Sequence, residues 1–330
     1  MGVVVPLCSA VPQFLRLRPN FSSFSFPPLG ARRVCWLADY LEAEGVPVRA
    51  VDIGGGLAVD YFPSDAATEA APRPRQGTTP TPALAEYARQ LAAAAPSLFP
   101  GYCGGSPQPR YPHRQLITEF GKALVAGAGV VVAKVEDVIW WGGVGEGGAA
   151  VGVETSASST SSTERARVRA TAVLHAGADL LLRECYLSSA FSHRMALTRE
   201  GVLLGPPCGR QGQGQGQLLL QGPSQRGLQC TLVGPLCFAG DVLGDVWLPE
   251  AGAGAGAGAG PAPRRGDDAL VFDCGANSLA LFSRHCSRQA PGVWVVWDEG
   301  EDGGESVVGA VRALCVKPRE SHETVIAFWS

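Results

Sequence analysis

Two patterns of apolar and polar positions follow one another along this chain. From Ala31 to Gly45 the apolar residues Val34, Leu37 and Leu41 recur at helical spacing, and Gly45 suits a helix stop. Val48–Ile53 is then a short run with three β-branched residues, ending in Gly54-Gly55-Gly56. Helix, strand and glycine-rich turn together predict one αβ unit of a parallel sheet. Leu84–Ala95 predicts an Ala-rich helix that Pro96 stops, after a looser Pro/Thr/Ala-rich stretch over Pro63–Pro80. Gln115–Thr118 predicts a short strand leading into a helical Ala123–Ala128. Strand-like runs dominate from there: Val130–Val138, Arg169–Leu174, Asp179–Arg183, Leu228–Val233, Ala269–Phe272, Gly292–Trp297 and Glu323–Trp329. The expected fold is α/β up to about residue 128 and all-β after it.

Low-complexity tracts interrupt the second half. Gly142–Thr163 is Gly/Ser-rich, Gly209–Gln217 is a Gln-Gly repeat and Ala251–Gly260 alternates Ala with Gly. None offers an apolar face to bury, so these read as disordered surface inserts at about 142–163, 205–227 and 251–265. Residues 1–30 stay unassigned. The first 38 residues hold no Asp or Glu and carry Arg16, Arg18, Arg32 and Arg33 among Ser and Phe. That composition weakly resembles an organelle transit peptide, and a misassigned start fits it equally.

Composition narrows the function classes. The formal net charge is −3, which gives no electrostatic reason to expect nucleic acid or an anionic membrane surface. Ten scattered cysteines, with no Cys-x-x-Cys pair and no zinc-finger spacing, suggest a reduced intracellular protein without a structural metal, cytoplasmic or plastid. The longest apolar run, Ala123–Ala133, is too short to span a bilayer. Only three lysines occur: Lys122, Lys134 and Lys317.

Two loops carry candidate chemistry. Asp52-Ile-Gly54-Gly55-Gly56 follows a predicted strand, and three glycines let backbone N–H groups approach an anion closely. A tight turn needing positive φ explains the triplet equally well. Thr118-Glu119-Phe120-Gly121-Lys122 also follows a strand and offers a carboxylate, a small residue and a cation within four positions. A carboxylate for a ring nitrogen and a cation near a phosphate suit pyridoxal phosphate. A charged loop with a capping glycine is the plainer alternative.

Further segments follow in order: Ala176-Gly-Ala-Asp-Leu-Leu-Leu-Arg183-Glu-Cys-Tyr186, Leu232-Val-Gly-Pro-Leu-Cys237-Phe-Ala-Gly-Asp241, Gly266-Asp-Asp-Ala-Leu-Val-Phe-Asp-Cys-Gly-Ala-Asn277-Ser278 and Ser283-Arg-His-Cys-Ser-Arg288. As an ordered set, residues 31–330 resemble the fold-type III pyridoxal-phosphate decarboxylases of ornithine, diaminopimelate and arginine, closest to the diaminopimelate decarboxylase-like branch. The resemblance implies a (β/α)₈ barrel holding the cofactor, here N-terminally incomplete (residues 31–128), then a Greek-key-like β-barrel domain (residues 129–330), with active sites shared across a dimer. It implies that Gly54, Gly55 and Gly56 bind the cofactor phosphate and that Glu119 keeps the pyridine nitrogen protonated. Gly121 adds a backbone donor, and Asn277 stands where the family's phosphate-touching Tyr is expected. Arg183 resembles a clamp for a substrate carboxylate, with a surface ion-pair residue as its alternative. Cys237 resembles the thiol that reaches the partner subunit's site as a proton donor, with a buried small hydrophobe as its alternative.

Departures from the family's pattern, the Asn277 in place of Tyr among them, bear on the implied decarboxylation of a small amino acid in lysine biosynthesis. No lysine precedes Gly54, so the family's upstream cofactor-linking amine has no counterpart, and no histidine precedes His113. Lys122 stands where the family has Arg; it keeps the charge but loses the bidentate fork. Phe238 follows Cys237 where an acid normally meets the distal amine of the substrate, so a second amino group is held less well. A catalytically silent homologue that pairs with an active subunit is the alternative to an active homodimer. A partial barrel also exposes sheet edges and apolar surface.

Overall fold

Strand β2 (Val48–Asp52) is the centre of a three-stranded parallel sheet, between β1 (Val3–Pro6) and β3 (Gln115–Ile117). The computed structural model describes residues 3–6, 26–57, 59, 84–99, 114–141, 169–186, 193–207, 227–249, 262–298 and 311–330. Crossover helices cover the faces of such a sheet, so its middle strand is largely apolar. Val48 and Val51 are accordingly fully buried. Helix α1 (Phe26–Ala43) turns Ala31, Val34, Cys35 and Ala38 inward at helical spacing, and α2 (Leu84–Ala94) adds Tyr87 and Leu91 to the same core. Pro27 and Pro28 fall in the first turn of α1, where a missing N–H costs nothing. Pro96 ends α2 and opens a 3-10 turn, Pro96–Leu98. Arg114, whose side chain is 1% exposed, ties the start of β3 to α1 through Asp39 (2.6 Å) and Glu42 (2.9 Å).

The second part begins with α3 (Lys122–Val125) and a 3-10 turn over Ala126–Ala128. Strands β4 (Val131–Trp141), β5 (Arg169–Leu174), β6 (Met195–Arg199), β7 (Val202–Leu203), β8 (Gly227–Val233), β9 (Val242–Pro249) and β10 (Asp268–Val271) form one sheet in the order β7-β6-β10-β4-β5-β8-β9. Its neighbours are antiparallel except β5 and β8, which run parallel. The sheet curls until its ends meet: a Cβ on Gly205, just past β7, would lie 2.6 Å from the Trp247 carbonyl oxygen on β9. Leu174, Met195, Leu197, Leu232 and Leu243 fill the interior. A two-stranded ribbon of β11 (Val293–Asp298) and β12 (Val311–Lys317) follows, then α5 (His322–Trp329).

This is the expected sequence of an α/β part followed by a β part. Within the β part, β5 and β8 pair in parallel. Three expectations change. Asp179–Arg183 is not a strand: Asp179 Oδ1 accepts the Gly177 N–H (2.8 Å), Leu180 and Leu181 bond back to the Gly177 carbonyl, and α4 (Leu182–Tyr186) follows. The buried run Leu180-Leu181 is a turn packed on the sheet. Glu323–Trp329 is helical because Ser321 caps it, its Oγ accepting from the Thr324 N–H at 3.2 Å. Residues 3–6 of the unassigned N-terminus form an edge strand. The 142–163 insert and the Gln-Gly and Ala-Gly repeats lie outside the described residues. The described chain resumes at Ala262, whose carbonyl accepts from Arg199 (2.8 Å).

The α5 end is fixed by an ion pair. Arg284 donates to both Glu320 carboxylate oxygens, one at 2.6 Å, and lies over the Phe328 ring at 4.7 Å. Those bonds, with the Ala290 N–H, pull the Glu320 carboxyl down to about 2. A carboxyl whose folded value lies below its unfolded value near 4.3 stabilises above that value and loses the contribution as pH falls toward 2. The Glu320→Gln variant should therefore melt below the parent at neutral pH and at the same temperature as the parent near pH 2, read by thermal denaturation at both.

Candidate active site at the ends of the parallel strands

Strands β2 and β3 lie in register, Asp52 opposite Ile117, so the loops that leave their C-terminal ends are neighbours. The Glu119 N–H donates to the Gly54 carbonyl at 2.8 Å, and the Ile53 N–H donates to the Ile117 carbonyl at 3.1 Å. Asp52 folds its carboxylate back onto the Gly54 N–H (2.8 Å), which shapes the turn. Gly54 and Gly56 have φ of +67° and +95°, and a Cβ on Gly55 would lie 2.5 Å from the Glu119 carbonyl oxygen. The triplet is therefore required twice, by positive φ at its ends and by close approach at its middle. Exposure rises along it, from a buried Gly54 to an exposed Gly56. Among the described residues no hydrogen bond takes up the Gly55 or Gly56 N–H. The loop thus presents two backbone donors beside the exposed Glu119.

The β10 end supplies a second wall. The Gly275 N–H donates to the Ala126 carbonyl (2.9 Å) and the Cys274 N–H to the Gly129 carbonyl (2.8 Å). That docks the 274–278 loop against α3, and a Cβ on Gly121 would lie 3.8 Å from the Ala276 Cβ. Asn277, half-buried with φ +61°, follows directly. Lys122 is half-buried. Burial first, then the Arg183 charge, lower its amine below the ordinary lysine value. The structure thus brings Gly54, Gly55, Gly56, Glu119, Gly121, Lys122 and Asn277 to neighbouring loops, and the Arg183 charge acts on Lys122 from α4.

Arg183 sits on α4 and Cys237 in the loop joining β8 to β9. The two segments are bound together by Asp241. Its Oδ1 accepts the Ala178 N–H (2.6 Å) and its Oδ2 the Leu236 N–H (2.8 Å), while the Cys185 thiol lies 3.7 Å from Oδ1. Tyr186 and Phe238 stack with ring centres 4.9 Å apart. Cys237 is exposed, which removes the buried-hydrophobe alternative. Among the described residues no hydrogen bond or ion pair links it to the glycine loop. Arg183 takes part in no ion pair among the described residues.

Sequence reasoning missed His193 and the part played by Asp241. His193 is buried before β6. Its Nδ1 bonds the Phe272 carbonyl (2.8 Å), its backbone N–H donates to the buried Glu184 carboxylate (2.9 Å), and burial lowers its pKa. An isolated His in a segment without periodicity gives no sign of this position; Asp241 is legible only as the acid closing the Cys237 loop. Among the described residues no group of three or more His, Cys, Asp or Glu could hold a metal ion, and no helix is long and apolar enough to cross a membrane.

A parallel α/β unit whose strand ends carry a glycine loop and an acidic loop, followed by a curled β-sheet, has the fold of the fold-type III decarboxylases. In fold the chain is similar to diaminopimelate decarboxylases. The Helicobacter pylori enzyme complexed with L-lysine shares 18% identity, covers 92% of this chain and 50% of its own, and superposes with a TM-score of 0.50. The M. jannaschii diaminopimelate decarboxylase with L-lysine gives 18%, 91%, 47% and 0.48. The arginine decarboxylase of Paramecium bursaria Chlorella virus, bound to agmatine, gives 14%, 80%, 49% and 0.43. The chain spans about half the length of these structures. A scan of protein-family models and a search of curated proteins find no match.

Proposed function

We propose that this chain binds pyridoxal 5'-phosphate and belongs to an amino-acid carboxy-lyase of the diaminopimelate decarboxylase type. The observation that carries the reading is the 2.8 Å bond between the Glu119 N–H and the Gly54 carbonyl, which holds an anion-accepting loop and a carboxylate side by side at adjacent strand ends. The residues present fit the phosphate-bearing end of the cofactor. Two backbone N–H groups that no hydrogen bond takes up among the described residues match a phosphate, and Glu119 matches a protonated ring nitrogen. When bound, the cofactor draws electrons from the substrate carbon as CO₂ leaves. Gly55 and Gly56 would hold the phosphate with Gly121 and Asn277 beside them. Glu119 would keep the ring-nitrogen proton in place. Arg183 would clamp the substrate carboxylate, and Cys237 would serve as proton donor in a site completed by a second subunit, as a homodimer or with a full-length homologue.

A second reading, a silent chain that pairs with an active subunit, draws on the exposed apolar faces. Trp294, Val296, Val311 and Leu314 of the ribbon and Ile326 and Trp329 of α5 all stand in solvent. Size exclusion of the chain alone and with an active decarboxylase separates the two: a homodimer favours the first, a monomer that shifts only on mixing favours the second.

Pyridoxine 5'-phosphate, which carries an alcohol in place of the aldehyde, tests the loops directly. It should bind in equilibrium dialysis, while pyridoxine without phosphate should not. Gly55→Ala, by pushing on the Glu119 carbonyl, should weaken binding by about tenfold or more, the loss of one good charge-assisted hydrogen bond. Equal binding of the two ligands would remove the phosphate role from the triplet.

A further inference from the structure

Arg183 on α4 and Asn277 in the loop after β10 stand far apart in sequence, and a buried set of hydrogen bonds joins the segments that carry them. Glu184, the residue after Arg183, is fully buried, and its Oε2 accepts the backbone N–H of His193 at 2.9 Å. His193 is 3% exposed, and its Nδ1 lies 2.8 Å from the Phe272 carbonyl oxygen. A carbonyl only accepts, so Nδ1 carries the proton. His193 thus bonds α4 through its backbone and the end of β10 through its ring.

Arg194 adds a second grip on the same loop. Its guanidinium donates to both Asp273 carboxylate oxygens, from Nε at 2.8 Å and from Nη2 at 2.9 Å, and lies over the Phe272 ring at 5.5 Å. The Phe272 N–H returns to the Arg194 carbonyl at 2.9 Å. The loop held in this way is an unusual one. Asp273 and Asn277 both have φ of +61°, a left-handed conformation that few residues other than glycine adopt. Where Asn277 points therefore depends on what fixes the backbone before it.

We propose that His193 and Arg194 form a positioning clamp, which sets Arg183 and Asn277 at a fixed separation so that one ligand bearing both a carboxylate and a phosphate meets both ends of the site at once. The inference rests on the roles given to Arg183 and the phosphate loops under Proposed function. It goes beyond them by naming two residues that touch no ligand and act through those that do. Binding groups on separate segments combine their affinities fully only when their spacing is set before the ligand arrives. A slack joint would leave each end to bind alone.

A matched pair of ligands reads this coupling. N-(5'-phosphopyridoxyl)glycine and N-(5'-phosphopyridoxyl)methylamine differ only by the carboxylate, so the ratio of their affinities in equilibrium dialysis isolates what Arg183 adds. The purified chain should favour the glycine adduct by about tenfold or more, the gain from one charge-assisted pair, and Arg183→Gln should bring the ratio near one. His193→Leu should also bring it near one while the methylamine adduct still binds. His193→Asn, whose side-chain amide can donate in place of the ring N–H, should restore the parent ratio. The parent ratio in a folded His193→Leu protein would overturn the clamp, and a ratio near one in His193→Asn would overturn the Nδ1 bond as its acting group. Where His193→Leu does not fold, Arg194→Met decides: a lowered ratio is expected, and the parent ratio would overturn the clamp. A ratio near one in the parent chain would overturn the Arg183 role, and the clamp with it, but leave the loop reading intact. No binding of the methylamine adduct by the parent chain would overturn the loop reading itself.

Discussion

The Gly275→Ala variant should lose most of the attachment between the curled sheet and the α/β unit. A Cβ at that position would run into the Val125 carbonyl oxygen and lie 2.8 Å from its carbon and 3.1 Å from the Ala126 oxygen. These are backbone atoms at the end of α3, so no side-chain rotation relieves the overlap. The Gly275 N–H bond to Ala126 would break as the loop retreats, and the Cys274 bond to Gly129 with it. Overpacking of a rigid contact costs about 1–3 kcal/mol and the broken bonds add to it, so a loss of about 3 kcal/mol or more is expected. Gly127→Ala is the matched control: it lies in the same turn that receives the Gly275 N–H, nothing stands within 4 Å of its added Cβ, and its change should stay within about 0.5 kcal/mol. Urea midpoints of the two variants measure the contrast. Because Asn277 and Ala276 ride on the same loop, Gly275→Ala should also weaken pyridoxine 5'-phosphate binding, whereas Gly127→Ala should not. Equal midpoints for both would mean that the β10 loop does not dock on α3.

The α/β unit is legible in local chemistry. Val48, Val51 and Ile53 announce a buried strand, and the glycines after it announce a turn that side chains cannot make. The adjacency of the two loops was not legible in that way, because it depends on a register between Asp52 and Ile117, residues far apart in sequence. Only the resemblance brought them together on paper. Strand β9 is hidden because Gly244 and Asp245 break its apolar run, although its buried positions still alternate along Gly244, Val246 and Leu248. The two misread strands share one cause. Leu180-Leu181 and Val325-Ile326 are short apolar runs whose length is compatible with either element, and the deciding groups were the polar neighbours: Asp179 closing a turn, Ser321 capping a helix. Lys122 was visible as a substitution for arginine, but its burial and its nearness to Arg183 come from elements more than fifty residues downstream.

Asp241 is the residue whose loss should disturb the Cys237–Arg183 side of the site most. It is 4% exposed, and its two oxygens receive backbone N–H groups from both segments that the site needs: Ala178 before α4 and Leu236 beside Cys237. Gly177 and Gly234 are pressed so closely on its carboxylate that a Cβ at either would collide with it. The glycines and the acid therefore form one fitted joint. In the Asp241→Ala variant two donors lose a charge-assisted acceptor in a space too tight for easy repair. Each unpaired buried donor costs about 1–3 kcal/mol, so a destabilisation of about 2–4 kcal/mol is expected. Asp241→Asn keeps the shape and one acceptor oxygen, but turns an NH₂ toward a donor, and should fall between the parent and the alanine variant. Stability alone would not distinguish this joint from any buried acid, whereas thiol access does. Cys185 is buried against Asp241 Oδ1, and its reaction with an alkylating reagent should accelerate in Asp241→Ala under conditions where the protein stays folded; Cys237, already exposed, should change little. Unchanged Cys185 protection in a folded Asp241→Ala protein would show that the Cys237 loop is held to α4 by the stacking of Phe238 on Tyr186 and not by this carboxylate.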